Sequence, residues 1–327
     1  MKHLLIITEI DNIRDIKKKL SDSFSITYIP GASPESLSSL GKKKRSTIDS
    51  IFTNPNNSLI KLNEKTLNFF DNLKVICTAS TGTVHINKDE CKRRNIDIIS
   101  LKNEISTLEN VSSTAELAFL MMLSSIRNFI PAINDVKFKN WDCEKFLGRQ
   151  LDHLKIGIIG FGRLGKMFAK YSEVFGAEIM IYDPYIKKEI IDETPFNVAY
   201  NLEEISKFSD IISLHVHVNE SSSKFINKDF LKTCNSNVTI INTSRGEIVD
   251  EYEMIKFLDI NKEAKYFTDV ISDEIEKKDE NLILQAYNKN KYMDRLIITP
   301  HIGGMTHDAR FLAYNRAADL LIEYFKM

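Results

Sequence analysis

The 327-residue sequence has few cysteines, and the four it contains, Cys77, Cys91, Cys143 and Cys234, lie far apart. No CxxC pair is present, which argues against a zinc knuckle or a redox-active dithiol. A chain of this length with so few cysteines is also unlike the small scaffolds that depend on disulfides. We therefore expect reduced thiols that pack as small apolar side chains.

The sequence also lacks long apolar runs and an excess of charge of one sign. No stretch of about 18 apolar residues occurs, so no transmembrane helix is expected, and the apolar start at residues 3–8 is too short for a signal peptide. The 44 Lys and Arg residues balance 45 Asp and Glu, for a net charge of −1. This balance disfavours a dedicated nucleic-acid binder. We expect a cytoplasmic protein with neither a membrane nor a nucleic-acid partner.

Short apolar segments alternate with amphipathic helical patterns along most of the chain. They occur at residues 3–8, 50–53, 74–78 and 97–100, and recur more regularly from Lys155 onwards. This rhythm predicts an α/β fold with parallel sheets covered by helices, and the length favours two domains. Residues 112–130 predict one helix that is apolar on more than one side, as in a helix buried between layers or at a subunit contact.

The most informative motif is GFGRLG at residues 160–165, which follows a predicted strand and opens a predicted helix. This context is the one required of a dinucleotide-binding fingerprint. Gly160 would permit the tight turn, Gly162 would let the backbone approach a pyrophosphate, and Gly165 would allow close packing of helix and strand. The N–H groups at the helix start would then face the phosphates.

An acidic residue, Asp183, ends the next predicted strand about 20 residues beyond the glycines. Its carboxylate would accept hydrogen bonds from the adenosine ribose hydroxyls and repel a 2′-phosphate, which favours NAD. Lys187 and Lys188 follow closely, and they keep NADP open as an alternative.

Three further segments lie at the ends of predicted strands: NTSRG at 242–246, DVISDE at 269–274 and TPHIGG at 299–304. The carboxyl ends of parallel strands form the edge of a sheet at which ligands bind. We therefore expect these segments to share one site with the glycine motif.

These segments, in this order, resemble the signatures of the D-isomer-specific 2-hydroxyacid dehydrogenases, which include D-3-phosphoglycerate dehydrogenases and glyoxylate/hydroxypyruvate reductases. STGT at 80–83, followed by His85 and Ile86, is similar to the substrate loop of that family. STAE at 113–116 resembles the start of its interdomain helix, and SLHV at 213–216 its cofactor-lining strand. The resemblance covers nearly the whole chain. It implies an NAD-dependent oxidoreductase that interconverts a small D-2-hydroxy acid and its 2-oxo acid, in a short form without a regulatory domain.

The resemblance also implies a role for individual residues. His301 would be the general acid/base, and Glu274 would hydrogen-bond its imidazole and fix the tautomer. Arg245 would bind the substrate carboxylate and polarise the keto oxygen, a task for which its planar cation is well suited. Asp269 would contact the nicotinamide carboxamide. The expected cofactor set is Gly160, Gly162, Arg163, Leu164, Gly165, Asp183, His215, Thr243, Asp269 and Gly303, and the expected substrate set is Ser80, Thr81, Gly82, Thr83 and Lys102. No metal site is expected, because no carboxylate or cysteine near His215 and His217 completes a ligand set.

The family's domain arrangement implies two Rossmann-like or flavodoxin-like domains. The substrate domain would comprise residues 1–104 and 305–327, and the NAD-binding Rossmann domain, residues 105–304, would be inserted into it. The active site would lie between the domains, and a homodimer would form through residues 112–140.

The substrate remains open between several small acids. Val84 and Asn87 replace commonly acidic positions, and residues 53–57 lack the arginine that phosphoglycerate enzymes commonly place near the phosphate. D-3-Phosphoglycerate dehydrogenase and glyoxylate/hydroxypyruvate reductase are therefore both retained. The alternative from another class is a non-catalytic NAD-sensing scaffold similar to the family's corepressor branch, which the absence of long disordered arms disfavours.

Overall fold

The computed structural model describes residues 1–55, 60–275 and 277–326. Asn56 and Asn57, in the segment compared with phosphoglycerate enzymes, and Met327, in the predicted substrate domain, lie outside these ranges. The chain divides into two compact units, Met1–Val111 with Met305–Met327, and Ser112–Gly304. The boundaries between the units lie at residues 111/112 and 304/305. The predicted domain boundaries lie at 104/105 and 304/305.

In the first unit, the described residues form a five-stranded sheet in the order β2-β1-β3-β4-β5, with every pair parallel. The strands are β1 (Lys2–Ile6), β2 (Phe24–Tyr28), β3 (Ser50–Thr53), β4 (Val75–Thr78) and β5 (Asp97–Ile99). The helices are α1 (Ile16–Ser21), α2 (Pro34–Ser38), α3 (Lys42–Arg45), α4 (Glu64–Leu67), α5 (Lys88–Arg93) and α6 (Ile105–Leu108), together with a C-terminal helix, His307–Tyr324.

Both faces of this sheet are buried, as the continuous apolar strands require. Leu4 on β1 packs into a cluster with Tyr314 and Leu321 of the C-terminal helix. Leu5, the next residue, points to the opposite face and joins a cluster with Leu37 of α2. Successive side chains of a strand therefore supply the two cores of one unit.

In the second unit, the described residues form a seven-stranded sheet in the order β12-β11-β10-β9-β6-β7-β8, again with parallel pairs only. The strands are β6 (Lys155–Ile159), β7 (Glu178–Tyr182), β8 (Asn197–Val198), β9 (Ile211–Leu214), β10 (Thr239–Asn242), β11 (Lys265–Thr268) and β12 (Leu296–Ile298). The helices are α7 (Ser113–Ile126), α8 (Phe129–Lys137), α9 (Arg163–Val174), α10 (Lys188–Glu193), α11 (Leu202–Phe208), α12 (Lys228–Thr233), α13 (Glu251–Ile260) and α14 (Leu282–Asn288).

The strand order places the point of reversal at β6. The chain runs from β6 through β7 to β8 on one side, and then returns to β9 on the other side of β6. In doubly wound sheets, ligands bind outside the carboxyl ends of the strands at such a reversal. The predicted α/β class with parallel Rossmann-like sheets is confirmed.

Two local predictions differ from the structure. Residues 112–130 do not form one helix, because α7 ends at Ile126 and Asn128 adopts a left-handed backbone conformation, with φ of 47°, before α8 begins. The strands β2 and β8 were missed. The short β8 carries little pattern. The edge strand β2 alternates apolar and polar residues, and only Phe24 and Thr27 of its five residues are buried, so it lacks the continuous apolar run on which the other strand predictions depended.

Lys265, on β11, stabilises the break between α7 and α8. Its Nζ donates to the carbonyl of Ser125 at 2.6 Å and to Asn128 Oδ1 at 2.8 Å. A cation at this place complements the partial negative charge of a helix C-terminus. Burial lowers the pKa of this lysine, because desolvation disfavours its charged form. The two hydrogen bonds offset part of that desolvation cost.

In the part of the chain that the structure describes, no single helix is long and apolar enough to cross a membrane. One bent pair, Ile105–Ile126 with Phe129–Lys137, meets the length and composition criteria when its members are taken together.

We expect Lys265→Met to lower the free energy of unfolding by about 1–3 kcal/mol, because it leaves a helix-terminal carbonyl and an amide oxygen without their donor. Urea unfolding followed by circular dichroism measures this change. Lys262→Met, at an exposed position a few residues earlier, is the matched control and is expected to stay within about 0.5 kcal/mol of the wild type. Equal stability of the two variants would contradict the assignment.

Candidate NAD-binding and catalytic site

The glycine motif forms the turn between β6 and α9. Gly160 has a φ of +92°, and a Cβ on it would lie 2.4 Å from the carbonyl oxygen of His215. A Cβ on Gly165 would lie 2.0 Å from the carbonyl oxygen of Gly160, so this first turn of the helix packs directly on the loop. At Gly162, by contrast, a Cβ would have no neighbour within 4 Å among the residues that the structure describes. The first and third glycines are therefore required by the fold, while the second lines open space.

The N-terminus of α9 faces that open space. Gly162 is the residue that precedes the helix, and intrahelical bonding begins with Lys166, whose N–H donates to Gly162 O at 3.0 Å. The N–H groups before Lys166 point out of the helix end, where the helix dipole favours an anion. The predicted residues Arg163 and Leu164 lie in this first turn, and burial lowers the pKa of the Arg163 guanidinium.

Asp183 lies against the glycine loop, directly after β7. Its Oδ2 accepts a hydrogen bond from Phe161 N at 2.9 Å, and its Oδ1 accepts one from Tyr185 N at 2.9 Å. These bonds orient the carboxylate next to the turn and use one lone pair of each oxygen. The remaining lone pairs are what a ribose diol would need as acceptors.

Two buried polar atoms that lack a partner among the described residues lie after the neighbouring strands β9 and β10. His215 Nε2 pairs with Ser213 Oγ at 2.9 Å, but within the described part of the chain its buried Nδ1 has no hydrogen-bond partner, and neither has the buried Oγ1 of Thr243. Burial lowers the pKa of His215 to about 3, so the ring is neutral near pH 7. Buried polar groups are normally satisfied. Open space at Gly162 and orphaned atoms at His215 and Thr243 therefore fit a dinucleotide, which would be held by the glycine loop, α9 and Asp183.

Arg245 is held by its own loop after β10. Asn242, the last residue of the strand, donates from Nδ2 to the Arg245 carbonyl at 2.9 Å and accepts from Ser244 N at 3.0 Å. The Arg245 guanidinium donates to the Ser244 carbonyl at 2.6 Å. A Cβ on Gly246 would lie 2.0 Å from the backbone of Ile271. Hence the loop that carries Arg245 contacts the loop that follows β11.

Glu274, in the loop after β11, pairs with His301, in the loop after β12. Glu274 Oε1 lies 2.7 Å from His301 Nδ1, and both side chains are partly exposed. The carboxylate has no hydrogen to give, so the ring nitrogen facing it donates and the tautomer is set. His301 has a φ of +55°, a conformation that costs a non-glycine residue of order 1–3 kcal/mol and persists only when its surroundings hold it.

Asp269 supplies those surroundings. Its Oδ1 accepts from Thr299 Oγ1 at 2.5 Å and from Ile302 N at 2.8 Å, its Oδ2 accepts from Gly303 N at 2.7 Å, and its carbonyl accepts from His301 N at 2.9 Å. Burial raises the pKa of this carboxyl, and the hydrogen bonds oppose that rise. Asp269 therefore fixes the loop around His301, and its predicted contact with nicotinamide stays a prediction.

The predicted residues are divided between the two units. In the second unit, the carboxyl edge of the sheet brings the glycine motif next to His215 and Asp183, and the loops of Arg245, Glu274 and His301 follow on adjacent strands. Thr243, Asp269 and Gly303 belong to the same edge. The roles of Asn242 and Thr299 were missed, although a strand-ending amide or hydroxyl beside a predicted site residue is the signal that would have pointed to them.

The predicted substrate residues lie in the first unit. Ser80, Thr81, Gly82 and Thr83 form a partly exposed loop after β4, and none of their four backbone N–H groups has a hydrogen-bond acceptor among the described residues. Consecutive unbonded N–H groups of this kind suit an anion. Lys102 is exposed.

Comparison with known proteins gives the same family as the motifs. The sequence pattern described as D-isomer specific 2-hydroxyacid dehydrogenase, NAD binding domain, matches residues 119–303, which is more than half of the chain. The chain is 30% identical over 240 residues to a D-3-phosphoglycerate dehydrogenase of Methanocaldococcus jannaschii, covering 73% of this chain and 43% of that protein. It thus spans less than half the length of that relative. It is 30% identical over 274 residues to a glyoxylate reductase of Thermococcus litoralis, covering 81% and 78% of the two chains.

A solved structure extends the likeness to both units. The D-lactate dehydrogenase of Aquifex aeolicus, complexed with NAD and lactic acid, superposes with a TM-score of 0.79 at 26% identity, over 99% of this chain and 96% of that one. The predicted family resemblance and the predicted NAD cofactor are both confirmed. The chain belongs to the D-isomer specific 2-hydroxyacid dehydrogenase family, and residues 119–303 are its NAD-binding domain.

Proposed function

We propose that the protein is an NAD(H)-dependent oxidoreductase that interconverts a small D-2-hydroxy acid and its 2-oxo acid. The observation that carries this proposal is the Glu274–His301 pair, with 2.7 Å between Oε1 and Nδ1, at the same sheet edge as the dinucleotide loop. A glycine loop alone supports binding only, whereas an oriented imidazole beside it supports proton transfer.

His301 acts as the general acid and base. Because Nδ1 donates to Glu274, Nε2 is the ring atom that exchanges a proton with the substrate oxygen. In the reductive direction the imidazolium gives its proton to the oxygen that becomes the hydroxyl, and Glu274 stabilises the charged ring beforehand. In the oxidative direction the neutral ring accepts the hydroxyl proton.

Arg245 and the 80–83 loop hold the acid group. The guanidinium binds the carboxylate and polarises the 2-oxo oxygen, and the unbonded N–H groups of the loop contribute further donors. Bound NADH supplies the hydride that the substrate carbon receives.

The names of the relatives support this substrate class and do not favour one acid. A phosphoglycerate dehydrogenase, a glyoxylate reductase and a D-lactate dehydrogenase share a 2-hydroxy or 2-oxo acid as the reacting part. The proposal therefore covers small 2-oxo acids, and phosphoglycerate is retained but not favoured. Cytoplasmic location stays a prediction.

A homodimer through residues 112–140 forms part of the proposal. In the single chain, α8 and the segment after it expose large apolar side chains, among them Phe129, Phe138, Trp141 and Leu147. An apolar surface of this kind marks an association site. A second copy of the chain is the occupant proposed here.

We expect purified protein to oxidise NADH in the presence of at least one member of a panel of glyoxylate, hydroxypyruvate, pyruvate and 3-phosphohydroxypyruvate. His301→Asn is expected to lower kcat by about 10²- to 10⁴-fold, because it removes the proton donor. His153→Asn changes an exposed histidine of the same unit and serves as the control. NADH binding without turnover on any substrate, together with a protein partner that co-purifies, would favour the scaffold alternative.

Arg245→Lys is expected to lower kcat/KM for the best 2-oxo acid by about 10- to 150-fold, because a lysine keeps the charge but loses the planar pair of donors that binds a carboxylate. The dissociation constant for NADH, measured by fluorescence, is expected to stay the same. An unchanged kcat/KM would remove Arg245 from the carboxylate site.

Trp141, the only tryptophan in the chain and 91% exposed in the single protomer, reports on the proposed dimer. If the second copy covers Trp141, its fluorescence emission maximum at micromolar protein concentration lies to the blue of that of an exposed tryptophan. The maximum then moves to the red as dilution separates the protomers. Phe138→Asp is expected to give a monomer in sedimentation velocity, while Ile260→Asp, at an equally exposed site on α13, leaves the dimer intact. Red emission at all concentrations would contradict the proposed interface.

A further inference from the structure

A chain of hydroxyl groups lies beneath the 80–83 loop and ends on a buried histidine. Thr78, the last residue of β4, is fully buried, and its Oγ1 lies 2.8 Å from Ser80 Oγ and 3.2 Å from His85 Nε2. Ser80 Oγ in turn lies 2.7 Å from the carbonyl oxygen of Gly82. His85 is 1% exposed. None of the proposed catalytic steps uses Thr78 or His85.

The number of hydrogens that each group can donate fixes the direction of these hydrogen bonds. The Gly82 carbonyl has no hydrogen, so the single hydroxyl hydrogen of Ser80 is committed to it. Thr78 must then donate to Ser80, which leaves the Thr78 oxygen as an acceptor only. His85 must therefore carry a hydrogen on Nε2. The bonds run one way, from His85 through Thr78 and Ser80 to Gly82.

The direction of these hydrogen bonds determines which donors the 80–83 loop can offer to a substrate. Because the Ser80 hydroxyl donates to the Gly82 carbonyl, it is not available as a donor to a bound acid. The loop offers its backbone N–H groups to the acid instead. The Gly82 peptide lies in the same loop and is held in place by the hydrogen bond that its carbonyl accepts from Ser80. Residues outside the loop also bond to its two ends. Leu101 N donates to Ser80 O at 3.0 Å, and Ile86 N donates to Thr83 O at 3.0 Å.

We propose that His85 is a positioning residue for the substrate loop: acting through Thr78 and Ser80, it fixes the Gly82 peptide so that the N–H groups of residues 80–83 point at the substrate carboxylate. The proposal rests on the proposed function for its substrate. The hydrogen-bond chain itself is a property of the first unit and can be tested without turnover.

The first test is spectroscopic and uses the full-length protein. Long-range ¹H–¹⁵N correlation spectra distinguish histidine tautomers, and the His85 signals are those that His85→Gln removes. The expected result is a ring that carries its hydrogen on Nε2 in the wild type. A ring with its only hydrogen on Nδ1 would overturn the direction of the chain.

The second test breaks the centre of the chain. Thr78→Val keeps the shape of the side chain and removes the hydroxyl, whereas Thr78→Ser keeps the hydroxyl. Thr27→Val removes the hydroxyl of another buried threonine, which pairs with His3 Nε2 at 2.8 Å on β2, a strand that β1 and β3 separate from β4. Thr78→Val is expected to raise KM for the 2-oxo acid about 3- to 10-fold. The kcat value and the KM for NADH are expected to stay unchanged, since the loop binds substrate and transition state alike.

The controls separate positioning from a loss of stability. Thr78→Ser is expected to restore the wild-type KM, and Thr27→Val is expected to lower the unfolding temperature with no change in KM. An unchanged KM in Thr78→Val, or the same increase in Thr27→Val, would overturn the positioning role. If the wild type reduces none of the acids, the proposed function fails. The ¹⁵N order parameters of residues 80–83 then decide the proposal, since they should fall in Thr78→Val and not in Thr27→Val.

Discussion

The buried carboxylate of Asp269 is the constraint on which the geometry of the His301 loop depends. It accepts hydrogen bonds from Thr299, Ile302 and Gly303, and its carbonyl accepts one from His301 N. Taking a carboxylate out of water is costly unless several donors meet it. Those donors come from the loop that carries His301. The hydrogen bonds that satisfy the charge of Asp269 therefore also hold His301 in its left-handed conformation.

The other loops at the sheet edges follow a similar physical rule. Asn242 ends β10 and binds the carbonyl of Arg245, and Thr78 ends β4 and bonds with Ser80. Glu251 opens α13 and accepts from Ser272 N at 2.8 Å, two residues before Glu274. In each case, a polar side chain on a regular element bonds to an irregular segment next to it. A loop gains definite geometry in this way without a rigid backbone of its own.

The fold class and the NAD cofactor were predictable because their determinants are local. A strand, a glycine turn and a helix must be consecutive to bind a pyrophosphate, so the motif at 160–165 carries its context with it. The break at Asn128 was not predictable in the same way. The segment from 112 to 130 is apolar throughout, and the lysine that binds both sides of the break lies 137 residues away from Asn128.

The sequence by itself determined which chemical groups end which strands, and with them the α/β class, the NAD fingerprint and the family. Those features depend on spacing along the chain, which a sequence displays directly. Only the tertiary structure decided the hydrogen-bond partners. Asp269 binds a backbone N–H 34 residues away, and Glu274 pairs with a ring 27 residues away. Such pairs form because parallel strands bring distant loops to one edge, and the direction of each bond follows from which atoms there carry hydrogen.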